Sequence, residues 1–313
     1  MCTAISYRTK DHYFGRNLDV EKDYGEHVVI TPRNFPLKFR FTETMNTHYA
    51  LIGMAVVIKD YPLYFEAANE MGVCIAGLNF PDNAVYYDFA EGKDNVAPYE
   101  LPLYLLGKCT SIKSVKKLLK KINIVNHSFS EELPLSPLHW MISDREQSIT
   151  LECTKDGMKV YENPFGVLTN NPTFDYHIMN MNNYMELYEG AGRNRLGKNL
   201  KLKNYSLGLG ALGLPGDFSS SSRFVKTVFV KEKSVCNGEE EESVSQFFHI
   251  LQAASMPKGC VKLPNGEYEY TKYSCCCNTD TLVFYYKTYH NSSIRKIELF
   301  KNDLEKNKLI EYV

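Results

Sequence analysis

The stretch SITLECTKDGMKVYENPFGVLTN (148–170) constrains the chain most. Apolar and β-branched residues alternate on either side of Lys155-Asp156-Gly157, which supplies a tight turn, so the segment predicts a β-hairpin. A second hairpin is predicted from LVFYYKTY (282–289) and IRKIELF (294–300), joined by His290-Asn291-Ser292-Ser293. EHVVITP (26–32), YALIGMAVVI (49–58) and GVCIAGLNF (72–80) add apolar runs bounded by Pro, Asp or Gly. Paired strands must bury a face against another layer, and two segments have the period to supply one. In TSIKSVKKLLKKI (110–122), Ile112, Val115, Leu118, Leu119 and Ile122 recur at helical spacing opposite a lysine face. EEEESVSQFFHILQAAS (239–255) repeats the pattern, with its glutamates where a helix N-terminus favours negative charge. No repeat, linker or break in composition divides the chain. The expected architecture is one α+β domain over 1–313, layered sheets with flanking helices.

Charge and cysteine usage exclude several functions. Lys and Arg number 36 against 37 Asp and Glu, a net charge of −1, which removes any global attraction for nucleic acid and favours a small-molecule partner. No run approaches the roughly 20 apolar residues of a membrane span, and no basic-then-apolar leader is evident, so no membrane association and a cytoplasmic setting are expected. The nine cysteines are odd in number and include Cys275-Cys276-Cys277, which suits reduced thiols rather than a disulfide framework or a metal site. The histidines lack zinc-motif spacing, and His139 beside Trp140 reads as core packing. GLGALG (208–213) satisfies a dinucleotide fingerprint literally, but Leu-Pro-Gly-Asp follows it instead of a helix; it reads as a glycine-rich loop. Neither metal nor cofactor is expected.

The amino terminus, MCTAISYRTKDHYFGRNLDV, carries the chemistry. Removal of Met1 would leave Cys2 with a thiol and a free α-amine on one residue. An ordinary thiol titrates near 8.5 and needs a base; an α-amine, at about 7.7–8.0, can take its proton near neutrality. Asp19 would hold that amine, and the Arg16 guanidinium would favour thiolate. The three converge if 3–8 and 13–19 form a hairpin across the turn-like TKDH (9–12).

MCT at the start, FGRNLD (14–19), NE-x-G through AGLNFP (69–81), LHW (138–140), GVLTNNPTFD (166–175) and GLPGDFSSSSRFV (213–225) occur in an order that resembles the choloylglycine hydrolase family, within the N-terminal nucleophile superfamily. The resemblance implies an αββα sandwich of two antiparallel sheets, a cysteine nucleophile exposed by loss of Met1, and a homotetramer. It implies Cys2 as nucleophile, Arg16 and Asp19 behind it, Asn79 and Asn170 as oxyanion donors, and Arg223 as a further charged member. Taken without the resemblance, Asn170 reads as a turn residue and Arg223 as a surface ion pair. Leu18, Phe65, Phe129 and Leu133 align with positions lining the family's substrate cleft. The implied substrates are conjugated bile salts. Asparagine at 79 favours them over penicillin V, whose acylases of the Gram-positive type resemble one another in carrying tyrosine there. Penicillin V or acyl-homoserine lactone acylase is the alternative activity, and an inactive bile-acid-binding protein is the alternative if Met1 stays.

Overall fold

The computed structural model describes residues 1–313. One sheet is built mainly from the two ends of the chain: β1 (Cys2–Arg8), β2 (His12–Val20), β12 (Val167–Leu168), β13 (Val261–Lys262), β14 (Tyr268–Asn278), β15 (Val283–Thr288) and β16 (Asn291–Glu298). The other holds β3 (His27–Thr31), β4 (Leu51–Ile58), β5 (Tyr61–Asn69), β6 (Cys74–Asn79), β9 (Leu138–Ser143), β10 (Ser148–Thr154), β11 (Gly157–Glu162) and the C-terminal β17 (Ile310–Tyr312). β7 (Asp94–Val96) and β8 (Ile122–Ile124) form a short parallel pair apart from both. The helices are α1 (Leu101–Lys108), α2 (Ile112–Leu119), α3 (Phe174–Met181), α4 (Ser220–Lys233) and α5 (Glu240–Gln252).

The first sheet runs β12-β1-β2-β14-β15-β16, with β13 on β14, and the second runs β11-β10-β9-β6-β5-β4-β3-β17. All pairings within them are antiparallel.

Strand alternation sorts side chains into two cores. Val28, Ile30, Ile52, Met54, Cys74, Ala76 and Leu78 face inward with Cys2, Ala4 and Leu18 from the opposite sheet. Their neighbours Val29, Leu51, Val73 and Ile75 turn outward against Leu101, Leu105, Ile112 and Val115 of α1 and α2. On the far side, Phe247, Phe248, Ile250 and Leu251 of α5 and Phe224 of α4 cover the first sheet. The result is an α+β fold with the layer order αββα, as the resemblance implies.

The predicted elements are present with shifted ends. The second C-terminal hairpin turns at Tyr289-His290, earlier than expected, because β16 extends back to Asn291. α2 starts after Ser111, whose hydroxyl accepts from the Ser114 N–H, and stops at Leu119; Ile122 belongs to β8. GLGALG is a loop with one turn of 3₁₀ helix at Leu209–Ala211. His139 is buried, stacked on Phe80 at 4.2 Å.

Two positions set the stability of the hairpin that starts the chain. A Cβ on Gly15 would stand 2.0 Å from the Cys275 carbonyl oxygen on the adjacent strand, so only glycine lets β2 and β14 pair there. Gly15→Ala is expected to destabilise the protein by about 3 kcal/mol, read as a lower denaturation midpoint. His12 is buried, bonded through Nε2 to Ser6 Oγ at 2.8 Å and through Nδ1 to Thr279 Oγ1 at 2.8 Å. Burial pushes it down from 6.5 to about 4, so it is neutral when folded and gains a proton on unfolding between those values. Its contribution is therefore present above pH 6.5 and lost as the pH falls toward 4. Thermal melts across that interval should show a shallower acid-side decline for His12→Asn than for the parent; parallel declines would refute the assignment.

Candidate active site

β1 and β2 pair with Cys2 opposite Leu18, Thr3 opposite Asn17 and Ala4 opposite Arg16. Opposed residues share a face, so Cys2, Arg16 and Leu18 turn toward the second sheet while Thr3, Asn17 and Asp19 turn toward the helices. Cys2 is 3% exposed. The Arg16 guanidinium crosses between the sheets and donates through Nη1 to the carbonyls of Gly77 at 2.6 Å and Phe65 at 3.3 Å. Its Nη2 is buried without a partner. Glu66 faces it from β5, with Oε2 3.7 Å from Arg16 Nε. Tyr273 Oη donates to Glu66 Oε2 at 2.8 Å and Cys275 Sγ lies 3.4 Å from Oε1. Burial pushes Glu66 up to about 7, against the opposing pull of Arg16, Tyr273 and Cys275.

On the helix side, Arg223 of α4 is 1% exposed. Its Nη1 donates to the Cys2 carbonyl and, at 2.6 Å, to Thr3 Oγ1; its Nη2 donates to Asn170 Oδ1 at 2.8 Å. The surface ion pair expected from local sequence is thus replaced by a buried guanidinium that grips the first residues of β1. Asp19 is fully buried; its Oδ1 accepts from Thr271 Oγ1 at 2.6 Å and its Oδ2 has no partner. Burial raises its carboxyl, while Arg223 and the chain's ammonium oppose that rise.

Asn170 joins the two sides. Its Oδ1 accepts from the Cys2 N–H at 2.8 Å and from Arg223, while its Nδ2 donates to the Asn79 carbonyl at 2.7 Å. Two donors on one side and an acceptor on the other fix the amide orientation. This differs from the expected pair of oxyanion donors: Asn170 turns its oxygen to Cys2 and has committed an N–H to Asn79. The Asn79 side chain is exposed and makes no hydrogen bond in the protein. The loop holding Asn170 is built by buried contacts. Its N–H donates to Ser220 Oγ at 2.8 Å, and its carbonyl accepts from His177 Nε2 at 3.1 Å. His177 stacks on Phe224, and burial lowers it to about 4, which keeps it a neutral donor.

Cys2, Arg16 and Asn79 line a cleft of about 370 Å³ with mainly apolar walls. Leu18, Phe65, Phe129 and Leu133 all contribute to those walls. Phe129 packs edge-on to Tyr99, and Phe65 lies against Tyr24. Asp19, Asn170 and Arg223 stand behind Cys2, outside the lining. Met1 also lines the cleft; its ammonium donates to the Asp19 carbonyl at 2.6 Å and to Glu269 Oε1 at 2.9 Å. No three His, Cys, Asp or Glu side chains converge in a metal-binding arrangement.

Sequence reasoning missed Glu66, Glu269, Thr271 and Tyr273. A carboxylate inside the apolar run YPLYFEAAN was a visible signal for Glu66. The other three lie on β14, about 270 residues from Cys2, and nothing local connects them to it.

A model of linear amide C–N hydrolases, choloylglycine hydrolase family, matches residues 2–312. The bile salt hydrolase/transferase of Lactiplantibacillus plantarum is 50% identical over 312 residues, covering 100% of this chain and 96% of that protein. The bile salt hydrolase/transferase of Clostridium perfringens is 37% identical over 321 residues, covering 100% and 96%. A crystal structure of a mutant conjugated bile acid hydrolase from Clostridium perfringens superposes with a TM-score of 0.93 at 36% identity, covering 100% of this chain and 97% of that one. Penicillin V acylase from Agrobacterium tumefaciens shares the fold, with a TM-score of 0.77 at 19% identity over 99% and 90% of the two chains. With the paired sheets, the residues gathered around Cys2 and a family match that spans nearly the whole sequence, this chain belongs to the choloylglycine hydrolase family of linear amide C–N hydrolases.

Proposed function

We propose that the chain hydrolyses glycine- or taurine-conjugated bile acids with Cys2 as an amino-terminal nucleophile, once Met1 is removed. The observation that carries this reading is a cysteine at the wall of an apolar cleft with a guanidinium and an uncommitted asparagine amide beside it. An apolar cleft with few polar groups suits a steroid acid. While Met1 is attached, the Cys2 nitrogen is an amide and cannot serve as a base. After its removal the nitrogen is an amine, with Asn170 Oδ1 as one acceptor and the unpartnered Asp19 Oδ2 on the same strand pair as the candidate second.

The amine takes the thiol proton as sulfur attacks the scissile carbonyl, forming the C–S bond. Charge develops on the carbonyl oxygen, toward which the Asn79 amide is free to donate while the Arg16 guanidinium adds positive potential; Asn170 acts by orienting the amine. As the C–N bond breaks, the α-ammonium returns the proton to the departing amine. Water then cleaves the thioester, releasing the bile acid and restoring the thiol.

A homo-oligomer, a tetramer by resemblance, is part of this proposal. Exposed Met185, Leu196, Tyr205, Leu207 and Leu212 on the segment before α4 support it. All nine cysteines are free thiols, which suits the reducing cytoplasm.

The first test joins intact mass with glycine release from glycocholate on one sample. Loss of one methionine with glycine release is the expected result. A processed protein that cleaves penicillin V or acyl-homoserine lactones instead would move the substrate class; retained Met1 without release would favour the bile-acid-binding alternative. Cys2→Ser should abolish turnover with the melting temperature little changed, and parental turnover would refute the nucleophile. Asn79→Ala should lower kcat by about 10²–10³-fold, the range for losing one oxyanion donor, with a smaller change in KM.

A further inference from the structure

The Met1 ammonium occupies a site that outlasts it. Glu269 is 8% exposed, and the ammonium is its sole side-chain partner, completed by the Asp19 carbonyl. Once Met1 leaves, Glu269 loses this counter-charge and faces the part of the cleft that Met1 had filled. The new amino terminus at Cys2 is directed elsewhere, because its nitrogen points at Asn170. Arg16, the other cationic group lining the cleft, is held by Gly77, Phe65 and Glu66. Glu21 adds a second carboxylate to the same lining, and Tyr24 lies near both Glu269 and Cys2.

Distance defines what fits. Met1 sits one residue beyond Cys2 on the extended strand, and a strand advances about 3.3 Å per residue. A protonated nitrogen at the former Met1 position is therefore within a few carbon atoms of a nitrogen bonded to the carbonyl that Cys2 attacks. We propose that Glu269 and the Asp19 carbonyl form a cation subsite on the leaving-group side of the nucleophile, which takes the far ammonium of a short diamine joined to the acyl group through its near nitrogen. The inference rests on the hydrolase reading above. It adds a substrate class, acyl amides with a positively charged amine portion, to the conjugates whose amine portion is anionic. The covalent steps are unchanged: the near nitrogen leaves as the free amine and the far ammonium keeps its proton throughout.

The test uses protein beginning at Cys2, confirmed by intact mass, and compares kcat/KM for glycocholate with that for the cholic acid amide of 1,3-diaminopropane. In Glu269→Gln, the ratio of diamine amide to glycocholate should fall at least tenfold, with Glu269→Asp in between. An unchanged ratio would overturn the subsite. An equal loss on both substrates would overturn it too, since Glu269 would then act on the nucleophile or the fold. Calorimetric titration of the uncleaved diamine amide into Cys2→Ser, with and without Glu269→Gln, reads the subsite independently of turnover. Weaker binding with Glu269→Gln is expected there, and equal binding would refute it. Failure of the parent to release glycine from glycocholate while this binding difference persists would sink the hydrolase reading and leave the cation site standing.

Discussion

The hydrogen-bond ladder between β1 and β2 decides which side of the sheet each reactive group occupies, and the rest of the site follows from it. A slip of one residue would turn Arg16 toward the helices and Asp19 toward the cleft. Gly15 lets β14 approach closely enough to fix the opposite edge of β2, and His12 secures the turn end to Ser6 and Thr279. The sequence motif FGRNLD thus combines a steric requirement with two charges placed on opposite faces.

Two guanidiniums bracket Cys2 from those faces, both almost without exposure. Removing an ion from water costs several kcal/mol, so neither arginine is a cheap source of stability. Each is compensated differently. Arg223 is covered by the Cys2 carbonyl, Thr3, Phe218 and Asn170, which makes it a structural clamp on the chain's beginning. Arg16 keeps one buried nitrogen unpaired and faces the carboxyl of Glu66, which is shared with Tyr273 and Cys275. Arg223, by contrast, has only uncharged hydrogen-bond partners, so the two guanidiniums differ in how their charge is balanced on either side of Cys2. The two arginines thus differ in place: Arg223 grips the start of β1, whereas Arg16 lies along the cleft.

Period and turn chemistry made much of the fold legible: the hairpin predicted in 148–170 forms over 148–162, with Val167-Leu168 joining the other sheet, the first hairpin expected from 3–8 and 13–19 spans 2–20, and the amphipathic α2 and α5 follow from local pattern. Boundaries were less so. Ile122 fits the helical spacing of the residues before it, yet pairing with Asp94 draws it into β8. Helix α4 escaped notice because its serine-rich start reads as a loop until Ser219 is seen capping it. The positions carried by the resemblance gathered around Cys2, but their hydrogen-bond directions were not readable. Whether Asn170 presents oxygen or nitrogen to Cys2 depends on Arg223, which lies 53 residues further along. Likewise, β14 brings Glu269, Thr271 and Tyr273 to the site through long-range pairing that no local window contains.

The amino terminus links folding to chemistry. In the Met1-bearing chain, the ammonium satisfies Glu269, the Met1 carbonyl accepts from the Asp19 N–H at 3.0 Å, and the Cys2 N–H satisfies Asn170. Met1 therefore extends the β1–β2 ladder by one residue and fills part of the cleft. Its loss would remove two hydrogen bonds to the Asp19 backbone and an ion pair, giving up local stability in exchange for a free amine. The acceptors that remain, Asp19 Oδ2, Asn170 Oδ1 and Glu269, lie on β2, on the loop before α3 and on β14, elements whose strand pairing continues well past Met1.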